Sequence, residues 1–124
     1  MTRAATGGEV SVELAPHPRS GQVAREAVDS LSTSVDPETM AKVRLLVTEL
    51  VVAVLAPAVD DALLLTVRLS EGVVRAELSA AEPGARLAPP ARPRHFGLFL
   101  VNRIADRWSA ADGVLWFEVD ARPG

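Results

Sequence analysis

One apolar stretch decides the fold: MAKVRLLVTELVVAVL, at residues 40–55. Its apolar residues recur at intervals of three and four, which is the period of an α-helix with one buried face. The residues of this stripe are Met40, Val43, Val47, Leu50 and Val54. The stretch therefore predicts a central helix that buries the stripe against a sheet.

Capping residues predict where the central helix begins and ends. Asp36 is the expected N-cap, and Pro37 takes the first helical position. Glu38 falls in the first turn, where the helix dipole favours a negative charge. Pro57 ends the helix, because proline has no N–H group to continue the hydrogen-bonding pattern.

A single carboxylate, Glu49, lies in the body of the central helix. Helical spacing places Leu45, Val52 and Ala53 beside it on a face next to the buried stripe. This carboxylate has apolar residues on both sides, so the functional question depends on it. Without a functional role, Glu49 would reach solvent, or reach an arginine, at the edge of this face.

Composition predicts one globular domain of a protein located in the cytoplasm. Of 124 residues, 48% are hydrophobic and 23% charged, and the net charge is −3. No basic field is available to hold a nucleic-acid backbone, and no apolar run approaches the roughly 20 residues that span a bilayer. The first residues lack the apolar core of a signal peptide. With no cysteine and two histidines, no metal site is expected.

Alternating apolar residues and turn residues predict five strands and two further helices. The strands are expected at residues 9–14, 62–70, 73–80, 107–110 and 114–120. The helices are expected at residues 20–31, with Ser20 as the cap, and 97–106. Glu71-Gly72 and Asp112-Gly113 are the expected hairpin turns. Trp108 is predicted to pack in the core, and Phe99 to lie on the outer side of the last helix.

The order of these elements predicts an α/β (α+β) two-layer sandwich, with one mostly antiparallel sheet and three helices on a single face. Residues 9–120 are expected to form the single domain. Residues 1–8 are expected to be a flexible tail, and residues 121–124 a second tail. The strand at residues 9–14 would then lie at the edge of the sheet, and an unpaired edge makes a homodimer one of the expected partners.

Residues 81–96 are rich in proline and arginine and predict a long loop or a lid over a site. Arg86, Arg92, Arg94 and His95 cluster next to the start of the last helix. One interpretation is an anion site at the helix N-terminus, formed by Arg92, Arg94 and His95. The other is a solvated basic loop, and the sequence does not separate them.

Several short motifs in this order resemble one known family. They are Leu46-Val-Thr-Glu-Leu-Val51, Glu77-Leu-Ser79, Gly97-Leu-Phe-Leu-Val101, and Ala105-Asp-Arg-Trp108 followed by Gly113-Val-Leu-Trp116. The chain resembles the GHKL (histidine-kinase-like) ATPase superfamily, and within it the anti-sigma-factor serine kinases of bacteria. The resemblance implies a histidine-kinase-like ATPase fold for nearly the whole chain.

The resemblance also implies a nucleotide site. By family position its residues are Glu49, Ala53, Ala80, His95, Gly97 and Leu98. Glu49 matches the family's general base, but Ala53 stands where the family has the asparagine that coordinates Mg²⁺ through its amide oxygen. Ala80 stands where an aspartate accepts a hydrogen bond from adenine. His95-Phe96-Gly97 replaces a Gly-x-Gly pair that closes on the phosphates.

Three functional hypotheses follow from this degenerate site. The first is a regulatory protein-binding module that binds little or no Mg-ATP and docks a sigma factor, an anti-sigma antagonist or a second copy of itself. The second is an active serine/threonine protein kinase with Glu49 as general base, in which ATP and Mg²⁺ still bind. The third is an apolar pocket for another small ligand, lined by Leu45, Glu49, Val52, Ala53 and Leu78.

Overall fold

The computed structural model describes residues 3–6, 8–15, 19–31, 35–55, 62–81, 96–111 and 113–121, with the side chains of 3–6, 52–55 and 96–98 excepted. Within these residues the elements are β1 (Arg3–Thr6), β2 (Glu9–Leu14), α1 (Ser20–Asp29), α2 (Pro37–Leu55), β3 (Leu63–Ser70), β4 (Val73–Ala80), α3 (Phe96–Ile104), β5 (Arg107–Ala111) and β6 (Val114–Asp120). The described strands form one antiparallel sheet in the order β1-β2-β3-β4-β6-β5. The predicted α+β class with an antiparallel sheet and three helices is confirmed.

The N-terminal residues differ from the prediction of a flexible tail. Arg3–Thr6 forms β1, which pairs with β2. Gly8 follows it and approaches β3 closely, because the Leu69 N–H donates to the Gly8 carbonyl at 2.6 Å. A Cβ atom on Gly8 would lie 2.7 Å from the Leu69 carbonyl oxygen, so only glycine fits there. The strand β2 therefore has a neighbour on each side, and the edges of the described sheet are β1 and β5.

The central helix α2 begins as predicted. The Thr39 N–H donates to Asp36 Oδ2 at 3.0 Å, which is an N-cap bond. The predicted stripe is buried over Met40, Val43, Val47 and Leu50, while the side chain of Val54 lies outside the described residues. Leu46 and Val51 are buried as well. The buried face is therefore wider than the predicted stripe, because the sheet and the neighbouring helices both contact α2.

The helix α1 begins and ends differently from the prediction. Ser20 is its first residue rather than its cap, and Arg19 occupies the cap position without a side-chain cap bond. The buried Ser20 hydroxyl donates instead to the Ala15 carbonyl, just after β2. The helix ends at Asp29, although Leu31 is still buried. The serine thus connects the end of β2 to the start of α1.

Hairpin turns join the strands of the second half of the chain. Between β3 and β4, Glu71 has φ 50° and Gly72 has φ 76°. A type I′ hairpin turn requires a positive φ at both of these central positions. Between β5 and β6, Gly113 also has a positive φ of 74°, while Asp112 lies outside the described residues. The N–H of Ala121, a predicted tail residue, donates to the Gly72 carbonyl at 2.8 Å.

Alternate residues of the strands face the helices and form the core. On β3, β4 and β6 these are Leu63, Leu65, Val67, Val74, Ala76, Leu78, Leu115, Phe117 and Val119. Trp108, predicted to be in the core, is partly buried against it and donates from Nε1 to Asn102 Oδ1 at 3.2 Å. Phe99 is 51% exposed on α3, as predicted. Among the described helices, none is long and apolar enough to cross a membrane.

Candidate functional site

Glu49 is held by α2 on a surface next to the buried stripe, and its side chain is partly buried. One turn earlier on the same surface, Leu45 is 42% exposed. Arg44 does not neutralise Glu49, because its Nε lies 2.8 Å from Asp29 Oδ1 on α1. Among the described residues none forms a hydrogen bond or an ion pair with Glu49. Its carboxylate is therefore available to a ligand or to solvent.

The structure brings the elements of the predicted nucleotide site together, because α2 packs against both β4 and α3. Ala80 ends β4, pairs with Leu63 and is partly buried. Ala53 belongs to α2, and Gly97 and Leu98 belong to the first turn of α3, but these side chains are outside the described set. The methyl group of Ala80 can accept no hydrogen bond.

The rest of the predicted site lies outside the described residues. Arg86, Arg92, Arg94 and His95 all belong to residues 82–95, so the anion site stays a prediction. In the part of the chain that the structure describes, no three histidine, aspartate or glutamate side chains come close enough to hold a metal ion.

A small cavity lies between α2 and the sheet. Its volume is about 10 Å³, which is about the room that one water molecule needs. The lining residues are Val47, Leu50, Val51, Leu65, Ala76, Glu77, Leu78, Leu115 and Phe117. Among the predicted pocket residues whose side chains the structure describes, Leu78 lines this cavity, Glu49 does not, and Leu45 is exposed rather than enclosed. A drug-sized ligand needs roughly 300 Å³ or more, so this cavity is too small to be the ligand pocket of the third hypothesis.

The face of the sheet that points away from the helices carries a row of charges. The alternation of β3 and β4 predicts that Arg68, Arg75 and Glu77 point outward, but it does not reveal their partners on other strands. The row crosses five strands through cross-strand neighbours: Glu9, Arg68, Arg75, Glu118 and Arg107. Two arginines, Arg68 and Arg75, are direct neighbours in this row. Each is neutralised on its other side, because Arg68 Nε lies 3.0 Å from Glu9 Oε2 and Arg75 Nη1 lies 3.0 Å from Glu118 Oε2.

Arg75 and Glu118 are the centre of this network. Arg75 Nη2 donates to Glu77 Oε1 at 3.0 Å, and its guanidinium carbon lies 4.1 Å from the centroid of the Trp116 ring. Glu118 Oε1 accepts from Arg107 Nε at 2.6 Å, and Arg107 also pairs with Asp120. The hydrogen bond from Arg107 lowers the pKa of Glu118 most; partial burial opposes it, and Arg75 lowers this pKa further.

Acid should therefore weaken the fold through Glu118. In the folded chain the pKa of Glu118 lies below the ordinary glutamate value of 4.5. The ionised Glu118 therefore contributes its full stabilisation of the fold above pH 4.5, and this contribution is lost as the pH falls through the folded pKa. In Glu118→Gln this part of the pH dependence should vanish. The measurement is urea unfolding at a series of pH values from neutral downward.

Glu9→Gln is the matched control for this pH series, because Glu9 lies in the same row but its ion pair with Arg68 is nearly half exposed. It should leave the acid limb close to that of the native chain. An unchanged acid limb in Glu118→Gln would contradict the assignment to Glu118.

Comparison with known proteins adds no family. A scan against models of known protein families finds no match, and a search of curated proteins finds no significant similarity. The fold and the site thus define an α+β protein with an antiparallel sheet and three helices, in which the Glu49 carboxylate is accessible in the body of the central helix.

Proposed function

We propose that this chain is a regulatory protein-binding module of the histidine-kinase-like ATPase (GHKL) type, related to the anti-sigma-factor serine kinases, and that it acts in the cytoplasm by docking a protein partner. Its ATP site is lost or strongly weakened. The observation that carries this proposal is the chemistry of the side chains at two predicted site positions, one on α2 and one on β4. Glu49 has an accessible carboxylate without a described partner, while Ala80 at the end of β4 offers no acceptor.

The chemistry of Mg-ATP argues for the loss of nucleotide binding. Mg²⁺ needs hard oxygen ligands in nearly octahedral geometry, and an alanine at position 53 supplies none. A missing hydrogen bond to a charged group costs about 1.5–3 kcal/mol, which is roughly ten- to a hundredfold in affinity. Ala53 and Ala80 would each cause a loss of this kind, and Glu49 alone cannot replace both.

The proposed partner is a protein of transcription control, a sigma factor or an anti-sigma antagonist. In the family that the chain resembles, partners dock on the first helix and strand and near the lid. These surfaces correspond here to residues 12–31 and 81–97. In the first of them, α1 presents exposed polar residues, and Gln22 and Glu26 form a side-chain hydrogen bond of 3.4 Å on its outer side.

Calorimetric titration of ATP and ADP, with and without Mg²⁺, tests this proposal. The native chain should give no binding heat at high protein concentration. The double variant Ala53→Asn with Ala80→Asp should gain ATP affinity by at least about tenfold, because it returns an oxygen ligand and an acceptor.

The matched control combines Ala80→Asp with Ala41→Asn, where Ala41 is an exposed alanine earlier on α2. This control should gain less ATP affinity than the double variant. If the native chain binds Mg-ATP as tightly as the double variant, the proposal is wrong. The alternative, an active serine/threonine kinase with Glu49 as general base, then stands, and Glu49→Gln should abolish phosphate transfer to a serine substrate.

A further inference from the structure

The strand β5 ends the described sheet and has no described strand beyond it. An edge strand leaves a row of N–H and C=O groups that can pair with another strand, and proteins usually guard such edges with charges or proline. The five residues Arg107–Ala111 contain one charge and no proline. Arg107 stands at the end of the strand and is held by Glu118 and Asp120 of β6. In the part of the chain that the structure describes, no other charge or proline guards this edge.

We propose that β5 pairs antiparallel with β5 of a second copy, about a two-fold axis through Ser109. This joins the two sheets into one continuous sheet with both helical layers on the same face. The inference does not depend on the proposed function, because it uses only the shape and chemistry of this edge.

The register about Ser109 is self-complementary. Trp108 lies opposite the partner's Ala110 on the helix side, so a large side chain meets a small one. On the outer side Arg107 lies opposite the partner's Ala111, and the two Ser109 hydroxyls meet at the axis. The two copies of Arg107 are then four residues apart along the strands, about 13 Å, which exceeds the Debye length of about 10 Å.

The helix α3 offers a second surface next to this edge. Asn102 accepts the hydrogen bond from Trp108 Nε1 and so places its side of α3 beside β5. Phe99 lies one turn earlier on that side and is 51% exposed, with the Arg103 guanidinium 5.8 Å from its ring centroid. Pairing of the two β5 strands brings the two α3 helices to the same seam, where this exposed aromatic ring loses contact with water.

Sedimentation equilibrium over a range of protein concentrations tests the proposal. The average mass of the native chain should rise with concentration from that of a monomer toward that of a dimer. Ser109→Glu and Ser109→Lys each place like charges opposite one another at the axis, and each should weaken the dimer by about fivefold. An equimolar mixture of the two variants should restore association, because the charges across the axis are then opposite.

Ser70→Glu is the matched control, because Ser70 is an exposed serine at the end of β3. It should associate like the native chain, and thermal unfolding of all variants checks that they are folded. A native chain that stays monomeric at every concentration overturns the proposal. So does a dimer that both Ser109 variants leave unchanged, since its interface would then lie elsewhere, for example at β1. The calorimetric titration of nucleotide, which tests the proposed function, is independent of these results, so the two proposals can fail separately.

Discussion

Replacing Phe117 with alanine should lower the free energy of unfolding by about 3–5 kcal/mol. Phe117 is 1% exposed in the middle of β6, with Ala76 on one neighbouring strand and Trp108 on the other. It also lines the cavity beneath α2. Truncation would enlarge a void that already exists, and the sheet on either side restricts collapse of the backbone into it.

Urea unfolding followed by circular dichroism measures this loss, and an unchanged slope against urea would show that the transition stays two-state. Phe99→Ala is the control, because it removes the same side chain from a site that is 51% exposed. Its effect should stay within about 0.5 kcal/mol. Both variants are compared at low protein concentration, so that the proposed association through β5 does not contribute. Equal losses at the two sites would contradict the described placement of β6 and α3.

Replacing Leu46 with alanine should cost about 2–5 kcal/mol. Leu46 is fully buried on α2, the helix that packs against α1, α3 and the sheet. A native domain has about 5–15 kcal/mol of stability in total. The variant is therefore expected to have a much lower unfolding midpoint, which the same urea titration measures.

Leu45→Ala is an unusually close control for this substitution, because it removes the same side chain one residue earlier, from a site that is 42% exposed. It should cost less than about 1 kcal/mol. Successive helical residues are about 100° apart around the axis. The opposite order of effects would mean that α2 is rotated by one residue relative to the described structure.

Much of the fold was predictable from local patterns. The Asp36 cap, the stripe from Met40 to Leu50 and the Glu71-Gly72 turn all agree with the structure, because each depends on residues that are near one another in the chain. The alternating burial along β3 and β4 likewise agrees with the alternation of apolar residues from which these strands were predicted. Patterns of this kind reflect backbone geometry and the burial of one face, and they need no knowledge of distant neighbours.

The site was predictable only in part. Glu49 stood out as the one carboxylate in the body of an apolar helix, and the structure places it, partly buried, on the surface of α2. Its ion-pair state was not predictable, because that depends on where Asp29 of α1 meets Arg44. The roles expected for Ala53, His95 and Gly97 remain predictions that follow from the resemblance.

By itself the sequence determined the class of the fold, the central helix and the hairpin turns, because these follow from residue type and short spacing. Tertiary structure alone decided that Arg3–Thr6 becomes a strand, since its pairing partners come from β2. It also decided that Leu46 rather than Leu45 is fully buried. The charged row depends on the register between strands, where Glu9 meets Arg68 and Arg75 meets Glu118. Such contacts join residues distant in the chain, and no local pattern encodes which of them will meet.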